Sequence, residues 1–122
     1  MPWDISSERS VYLQLVDIIK QKIMAGEYKP GQRMESVREL AAEAAVNPNT
    51  MQRALAELER EGLLYTNRTS GRFVSEDALR IGDLRLENAE QRTAEFYTEM
   101  VKNGFTAAEV RELLEKVIAK KQ

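Results

Sequence analysis

The sequence predicts a mainly α-helical chain with a small β-wing, a winged helix-turn-helix followed by a C-terminal helical hairpin. Three observations predict this fold class. Two short helical patterns meet at a very tight turn near Val46, and two strand-like runs follow them directly. Two longer amphipathic patterns, separated by residues 103–105, occupy the rest of the chain. We therefore expect two regions, residues 1–75 and residues 76–122.

The first helix is predicted from about Arg9 to Ala25, because apolar side chains recur at helical spacing on one face. Gly26 follows, at a position where a left-handed cap residue is expected. Pro30-Gly31 then marks a turn, and the pair Arg33-Met34 is compatible with a short strand. This region supplies one layer of the expected core.

The second helix is predicted from Ser36 to about Ala44. Ser36 and Glu39 fit the capping box S-x-x-E, in which each side chain satisfies the free backbone N–H of the other residue. The third helix is expected to start only two residues after the second one ends. This very short connection is what predicts a helix-turn-helix arrangement.

Asn47 is predicted to cap the third helix, and Pro48 occupies its first position, where the missing N–H costs nothing. The helix is expected to reach Glu61 and to stop at Gly62. The runs L-L-Y-T and R-F-V then read as strands, and the turn-forming residues N-R-T-S-G between them predict a hairpin. This ribbon is the predicted wing.

Exposed polar side chains are expected at the start of the third helix. Asn49, Thr50, Gln52 and Arg53 point outward if Met51 points inward, and these residue types suit the floor of the DNA major groove. The N-terminus of a helix also offers free N–H groups to phosphate. The alternative is that the first residues only cap the helix and the others only form a solvated face. The tight turn before this helix and the ribbon after it favour the DNA interpretation.

Four further residues are predicted to contact DNA. Arg38, near the start of the second helix, is expected to contact a base or a phosphate, although it could instead pair with an acid on its own helix. Arg68, Gly71 and Arg72 lie in or beside the hairpin loop, where glycine permits close approach to a phosphate or a minor groove. The alternative for any of the three is an ordinary soluble turn.

The last region is predicted to contain a long helix from about Leu79 to Lys102 and a second one that starts at a T-x-x-E capping box. One such hairpin buries little apolar surface alone, so we expect it to pair with a second copy of the chain. Its predicted dimerisation residues are Leu84, Phe96, Tyr97, Met100, Val110, Leu113, Leu114 and Val117. A small-molecule pocket among these side chains is a weaker alternative, because no polar group converges there.

Composition excludes several classes of protein. The chain has no cysteine and no histidine, which removes disulfides, Cys/His metal sites and the usual catalytic bases. We therefore expect no enzyme, no cofactor and no metal. No apolar run is long enough to span a membrane and no signal sequence is evident, so a cytoplasmic location is expected. The net charge of −2 argues against nucleic acid, but charge on one face matters more than the sum.

The residues from Tyr12 to Val74 resemble the GntR family of bacterial transcription regulators. The strings that carry the resemblance are S-V-R-E-L-A, V-N-P-N-T-M-Q-R-A-L and G-R-F-V. A short two-helix tail looks like that of the YtrA subfamily, which implies a homodimeric repressor, often of genes for ABC-type transporters. The resemblance implies DNA contacts at Arg38, Asn47, Asn49, Thr50, Gln52, Arg53 and Gly71. Ala45 departs from the family, which usually has glycine in this turn.

The resulting hypothesis is a sequence-specific, DNA-binding homodimer that reads an inverted repeat in double-stranded DNA. The alternative is a winged-helix module that binds proteins and not DNA, and the equal numbers of acids and bases in residues 1–75 are its main support. The sequence gives no indication of a small-molecule effector.

Overall fold

A computed structural model describes residues 3–122, and within them it contains five α-helices and one two-stranded antiparallel sheet. The elements are α1 (Val11–Met24), α2 (Val37–Ala44), α3 (Pro48–Arg60), β1 (Leu64–Asn67), β2 (Gly71–Val74), α4 (Ala78–Lys102) and α5 (Ala107–Lys121). This order confirms the predicted fold class. The short strand at Arg33-Met34 is not formed, because Arg33 makes only an isolated bridge to Phe73.

The core lies where α1, α2 and the wing meet α3. The helical periodicity of α1 and α3 places one apolar stripe of each helix on the other. The largest fully buried side chains are Leu15, Ile19, Leu40, Met51, Leu55, Leu58, Leu63 and Val74. Because Met51, Ala54 and Leu55 are inside, Gln52 and Arg53 on the other side of α3 point outward.

The turn between α2 and α3 is defined by three local features. The capping box of Ser36 and Glu39 is present at the start of α2. Ala45 ends this helix in the left-handed region, with φ 60° and ψ 48°. The side chain of Asn47 caps α3, and Pro48 occupies the first turn, as predicted. A left-handed residue reverses the chain within one position, which allows the two helices to follow so closely.

The wing pairs Leu64 with Val74 at its base and Asn67 with Gly71 at its tip. Leu64 and Val74 face the core and are buried. Because side chains alternate along a strand, the next pair from the base lies on the opposite side of the wing. There the rings of Tyr65 and Phe73 stack with their centroids 5.7 Å apart. The wing is therefore anchored at its base while its tip is exposed.

The chain divides into two compact units, one up to Gly82 and the other from Asp83 to Gln122. In the second unit, the capping box of Thr106 and Glu109 starts α5 as predicted. Val110 is only 7% exposed, but every residue of α5 after it is exposed. Val110 was predicted to face a second chain, and it is instead covered within its own chain.

None of the helices in the described residues has the length and hydropathy that a membrane span needs.

Candidate nucleic-acid interface

The first turn and a half of α3 presents polar side chains to solvent. Asn49, Gln52 and Arg53 are exposed, whereas Met51 and Ala54 between and beside them are fully buried. This division follows from helical geometry, since the buried residues lie on the face that packs against α1. Three of the four side chains predicted to point outward from this turn therefore do so.

Asn47 lies at the start of the same helix, and its side chain has a structural task. Its Oδ1 accepts a hydrogen bond from the backbone N of Asn49 at 2.7 Å. The side-chain oxygen thus uses one of its two lone pairs in the helix cap. The amide nitrogen of Asn47 makes no hydrogen bond with the described residues and is the group available to donate to another molecule.

Thr50 is placed differently from the prediction. It is half-buried and lines a groove on the side of the N-terminal segment, together with Trp3, Ile5 and Val46. The reason is its position on the helix, because residues two positions apart lie about 200° apart around the helix axis, so Thr50 faces away from Gln52. Thr50 is therefore not brought together with Gln52.

Gln52 lies in an open groove of about 550 Å³ between α2, α3 and the wing. The lining residues include Ser36, Val37, Glu39, Gln52, Gly71 and Arg72. Arg38 is exposed on the first turn of α2, between two residues that line this groove. The structure thus brings the start of α2, the side of α3 and the wing glycine to one surface.

The wing tip is held by an arginine from the loop before α2. Nε of Arg33 donates a hydrogen bond to the backbone O of Ser70 at 2.9 Å. Gly71 has φ +108°, and a Cβ there would lie 3.3 Å from Nε of Arg33. Glycine is needed at this position both for the backbone conformation and for the close approach of Arg33. Arg68 is exposed in the turn beside it.

Arg72 was predicted to contact DNA, and the structure gives it a partner inside the chain. Its Nε donates to Oε1 of Glu59 on α3 at 2.7 Å, and its side chain is 15% exposed. The hydroxyl of Thr66 donates to the same carboxylate oxygen. A DNA contact by Arg72 would share or replace the ion pair with Glu59.

The acids at the C-terminal end of α3 and at its C-cap form ion pairs within the chain. Glu57 accepts a hydrogen bond from Nε of Arg60 at 3.1 Å, and Glu61 pairs with Nζ of Lys20 at 2.8 Å. The hydrogen bond from Arg60 lowers the pKa of the Glu57 carboxyl, so this acid is ionised and paired at neutral pH.

In contrast to those acids, three arginines near the groove have no ion-pair partner among the described residues. These are Arg38, Arg53 and Arg68. Because the acids of α3 are already paired, they do not compete for these three guanidinium groups, which remain available to another molecule although the sequence total is balanced.

Arg53 is stacked on an aromatic ring from α1. Its guanidinium carbon lies 3.9 Å from the centroid of the Tyr12 ring. The hydroxyl of Tyr12 donates to Oε1 of Glu57 at 3.3 Å. Neither contact is predicted from the sequence. The packing of α1 on α3 brings these residues together, and no local pattern reports it.

The sequence profile described as "Bacterial regulatory proteins, gntR family" matches residues 11–74. The chain is 36% identical over 106 residues to the HTH-type transcriptional regulator YhcF of Bacillus subtilis, which covers 87% of this chain and 88% of that protein. It is 43% identical over 75 residues to the HTH-type transcriptional repressor YtrA of the same organism, which covers 62% of this chain and 58% of that protein.

The chain also superposes on solved structures of transcription regulators. A GntR family transcriptional regulator from Listeria monocytogenes superposes with a TM-score of 0.88 at 38% identity, covering 92% of this chain and 98% of that one. AraR(DBD) in complex with operator ORR3 superposes with a TM-score of 0.51 at 28% identity, covering 62% of this chain and 93% of that one. The family resemblance seen in the sequence is thereby confirmed.

Proposed function

Because this chain belongs to the gntR family of bacterial regulatory proteins, we propose that it is a sequence-specific DNA-binding transcription regulator. The observation that carries this proposal is the groove that brings Gln52 of α3 together with Gly71 of the wing. Arg38 is exposed beside this groove on the first turn of α2, and Arg53 is exposed next to Gln52 on α3. Glutamine and arginine can read adenine and guanine in the major groove, and the wing can contact the backbone beside it. The likeness of residues in this region to a domain solved with its operator supports the same conclusion.

The active form is proposed to be a homodimer. Five of the predicted dimerisation residues, Phe96, Tyr97, Leu113, Leu114 and Val117, are between 37% and 48% exposed in the single chain. Leu84 and Met100 are half-buried. An isolated amphipathic helix is marginal in water, so a helix such as α5 needs a surface to cover its apolar stripe. A second copy offers the same stripe in a self-complementary arrangement.

A two-fold dimer of helix-turn-helix domains reads an inverted repeat whose half-sites lie about one helical turn apart. Repression is the proposed outcome, since relatives named as repressors share the domain. The likeness to YtrA-type regulators suggests genes of an ABC-type transporter as targets. A transporter ATPase gene beside that of this protein would support this suggestion, and its absence there would count against it.

The test is binding of the purified chain to DNA from the upstream region of its own gene, measured at several salt concentrations. We expect affinity to fall linearly on a log–log plot of the binding constant against salt, because Arg38, Arg53 and Arg68 displace counterions from phosphates. Arg38→Ala and Gln52→Ala should each weaken binding about tenfold, by the loss of about 1–3 kcal/mol for a specific contact.

Matched controls are available for both variants. Gln21 is exposed on α1 and Arg85 is exposed on α4, so Gln21→Ala and Arg85→Ala remove the same side chains elsewhere. Both controls should bind like the wild type. If the wild type binds no duplex at low salt, or if Arg38→Ala and Gln52→Ala behave like the controls, the chain is instead a protein-interaction module.

A further inference from the structure

The contact between α1 and α3 suggests a residue that positions the DNA-reading surface without belonging to it. We infer that Tyr12 is a positioning residue for Arg53: its ring supports the flat face of the guanidinium so that the N–H edge is presented outward. This inference rests on the proposed function, because it concerns how that surface is prepared for DNA.

The geometry of the contact is that of a stacked cation on an aromatic ring. The guanidinium carbon of Arg53 lies 3.9 Å from the ring centroid of Tyr12, well within the range of a cation–π interaction. Tyr12 is half-buried between α1 and α3, whereas Arg53 is exposed. The ring is therefore the more buried member of the contact, and the arginine is the more exposed one.

Stacking and ion pairing use different parts of an arginine. A carboxylate binds the N–H groups at the edge of the guanidinium, which are the groups that would read guanine or bind phosphate. An aromatic ring binds the face and leaves the five N–H donors available. Among the residues that the structure describes, Arg53 has no carboxylate partner, so its edge is available in the free protein.

A competing carboxylate is close at hand. Glu57 is four residues after Arg53 on α3, and residues at this spacing are neighbours on a helix. Oε1 of Glu57 is instead engaged by Nε of Arg60 at 3.1 Å and by the hydroxyl of Tyr12 at 3.3 Å. Tyr12 therefore makes two contacts, one with the guanidinium of Arg53 and one with the acid that would otherwise draw Arg53 toward the C-terminal end of α3.

The consequence is a side chain that is ordered before DNA arrives. A free arginine loses much rotamer freedom when it is fixed at an interface, and a side chain that is already ordered loses less. Removal of the Tyr12 ring is therefore expected to weaken DNA binding about fivefold and to reduce discrimination at the base pair that Arg53 contacts.

The experiment uses a fluorescent duplex that the wild-type chain selects from a random-sequence pool, together with copies of that duplex changed at each base pair. The variants are Tyr12→Leu, Tyr12→Phe, Arg53→Ala and the double variant Tyr12→Leu/Arg53→Ala. Tyr12→Leu should weaken binding about fivefold in the wild-type background and less than about twofold in the Arg53→Ala background. Tyr12→Phe keeps the ring, so it should retain most of the affinity. Phe105→Leu, which removes an exposed ring from the turn between α4 and α5, is the control and should bind like the wild type.

A second measurement needs no DNA and separates this inference from the proposed function. In the free protein, the NMR signal of the Arg53 Nε–H should show a ring-current shift in the wild type and in Tyr12→Phe, and no such shift in Tyr12→Leu. Thermal unfolding of each variant shows whether it is folded, and Tyr12→Met replaces Tyr12→Leu if the latter is not.

Two results would overturn the inference. One is a loss of affinity on Tyr12→Leu that is the same with and without Arg53, because Tyr12 would then act on the fold alone. The other is an Arg53 signal that does not change when the ring is removed. If the wild type selects no duplex at all, the proposed function fails, and the NMR measurement still decides whether Tyr12 positions Arg53.

Discussion

Glu59 on α3 accepts a hydrogen bond at 2.7 Å from Nε of Arg72 on β2, and this contact links the wing to the helix that it flanks. The hydroxyl of Thr66 on β1 donates to the same oxygen, so both strands of the wing are linked to one carboxylate. The charge of this one side chain therefore contributes to holding the wing against α3, beside the buried contacts of Leu64 and Val74.

The link between Glu59 and the wing should weaken in acid. Burial by itself raises the pKa of the Glu59 carboxyl, but the hydrogen bonds from Thr66 and Arg72 outweigh it, and the pKa lies below its ordinary value of 4.5. A carboxyl whose pKa is lowered on folding contributes stability above its unfolded pKa, and this contribution is lost as the pH falls through the folded pKa. The melting temperature of the wild type should therefore exceed that of Glu59→Gln at neutral pH, and the difference should shrink below about pH 4. A difference that is constant with pH would contradict this explanation.

Gln14 should stabilise the N-terminal segment. It is 7% exposed, its Oε1 accepts from the backbone N of Ser6 at 2.8 Å, and its Nε2 donates to the backbone O of Ser6 at 2.7 Å and of Arg9 at 3.1 Å. Gln14→Ala removes these partners, so the free energy of unfolding in urea should fall by about 1–2 kcal/mol. Gln21→Ala, at an exposed site of the same helix, should change it by less than about 0.5 kcal/mol. Equal effects at the two sites would show that the hydrogen bonds between Gln14 and Ser6 do not stabilise the folded chain.

Ala45→Gly should stabilise the chain. Ala45 has φ 60°, where a Cβ is unfavourable and glycine is not. The free energy of unfolding should rise by about 1 kcal/mol, which raises the melting temperature by about 4 °C. Ala42 is an exposed residue within α2, where glycine is unfavourable. Ala42→Gly should therefore lower the free energy of unfolding by about 1 kcal/mol. Destabilisation by both variants would mean that the turn does not strain Ala45.

Gly71→Ala should disturb the wing tip and reduce DNA affinity. The residue has φ +108°, and a Cβ would lie 3.3 Å from Nε of Arg33, so the wing tip and Arg33 must both shift. We expect binding to the selected duplex to weaken about tenfold, as for the loss of one specific contact. Gly82→Ala is the control, because Gly82 is helical and its added Cβ meets no atom of the described residues within 4 Å. Its affinity should equal that of the wild type, and an equal loss for both glycines would count against a role for the wing.

Leu114→Asp should prevent dimerisation. Leu114 is exposed on α5 in the single chain, and a charge there would be buried without a partner in a dimer. Light scattering coupled to size-exclusion chromatography should give the mass of one chain for this variant and of two for the wild type. Glu112→Ala changes an exposed residue of the same helix and serves as the control. A wild type that is a monomer at high concentration would contradict the proposed dimer.

Much of this protein follows from its sequence alone. The capping boxes at Ser36 and Thr106 and the cap at Asn47 are local patterns, and each begins a helix where the sequence predicts one. The apolar periodicity of α1 and α3 selects which face is buried, so the exposure of Gln52 and Arg53 also follows. Local hydrogen bonds and helical spacing depend on residues at most a few positions apart, which is why the sequence determines them.

Other features depend on tertiary packing. The stacking of Tyr12 on Arg53 joins residues 41 positions apart (53 − 12), and the pair of Glu59 with Arg72 joins a helix to a strand. The same packing turns Thr50 away from Gln52 and covers Val110 within its own chain. The sequence determined which polar side chains of α3 are exposed, and the packing of α1, α3 and the wing decided which of the predicted contact residues are already bound within the chain. An ion pair or a stack depends on distances of a few ångströms between elements, and these distances exist only once the core has formed.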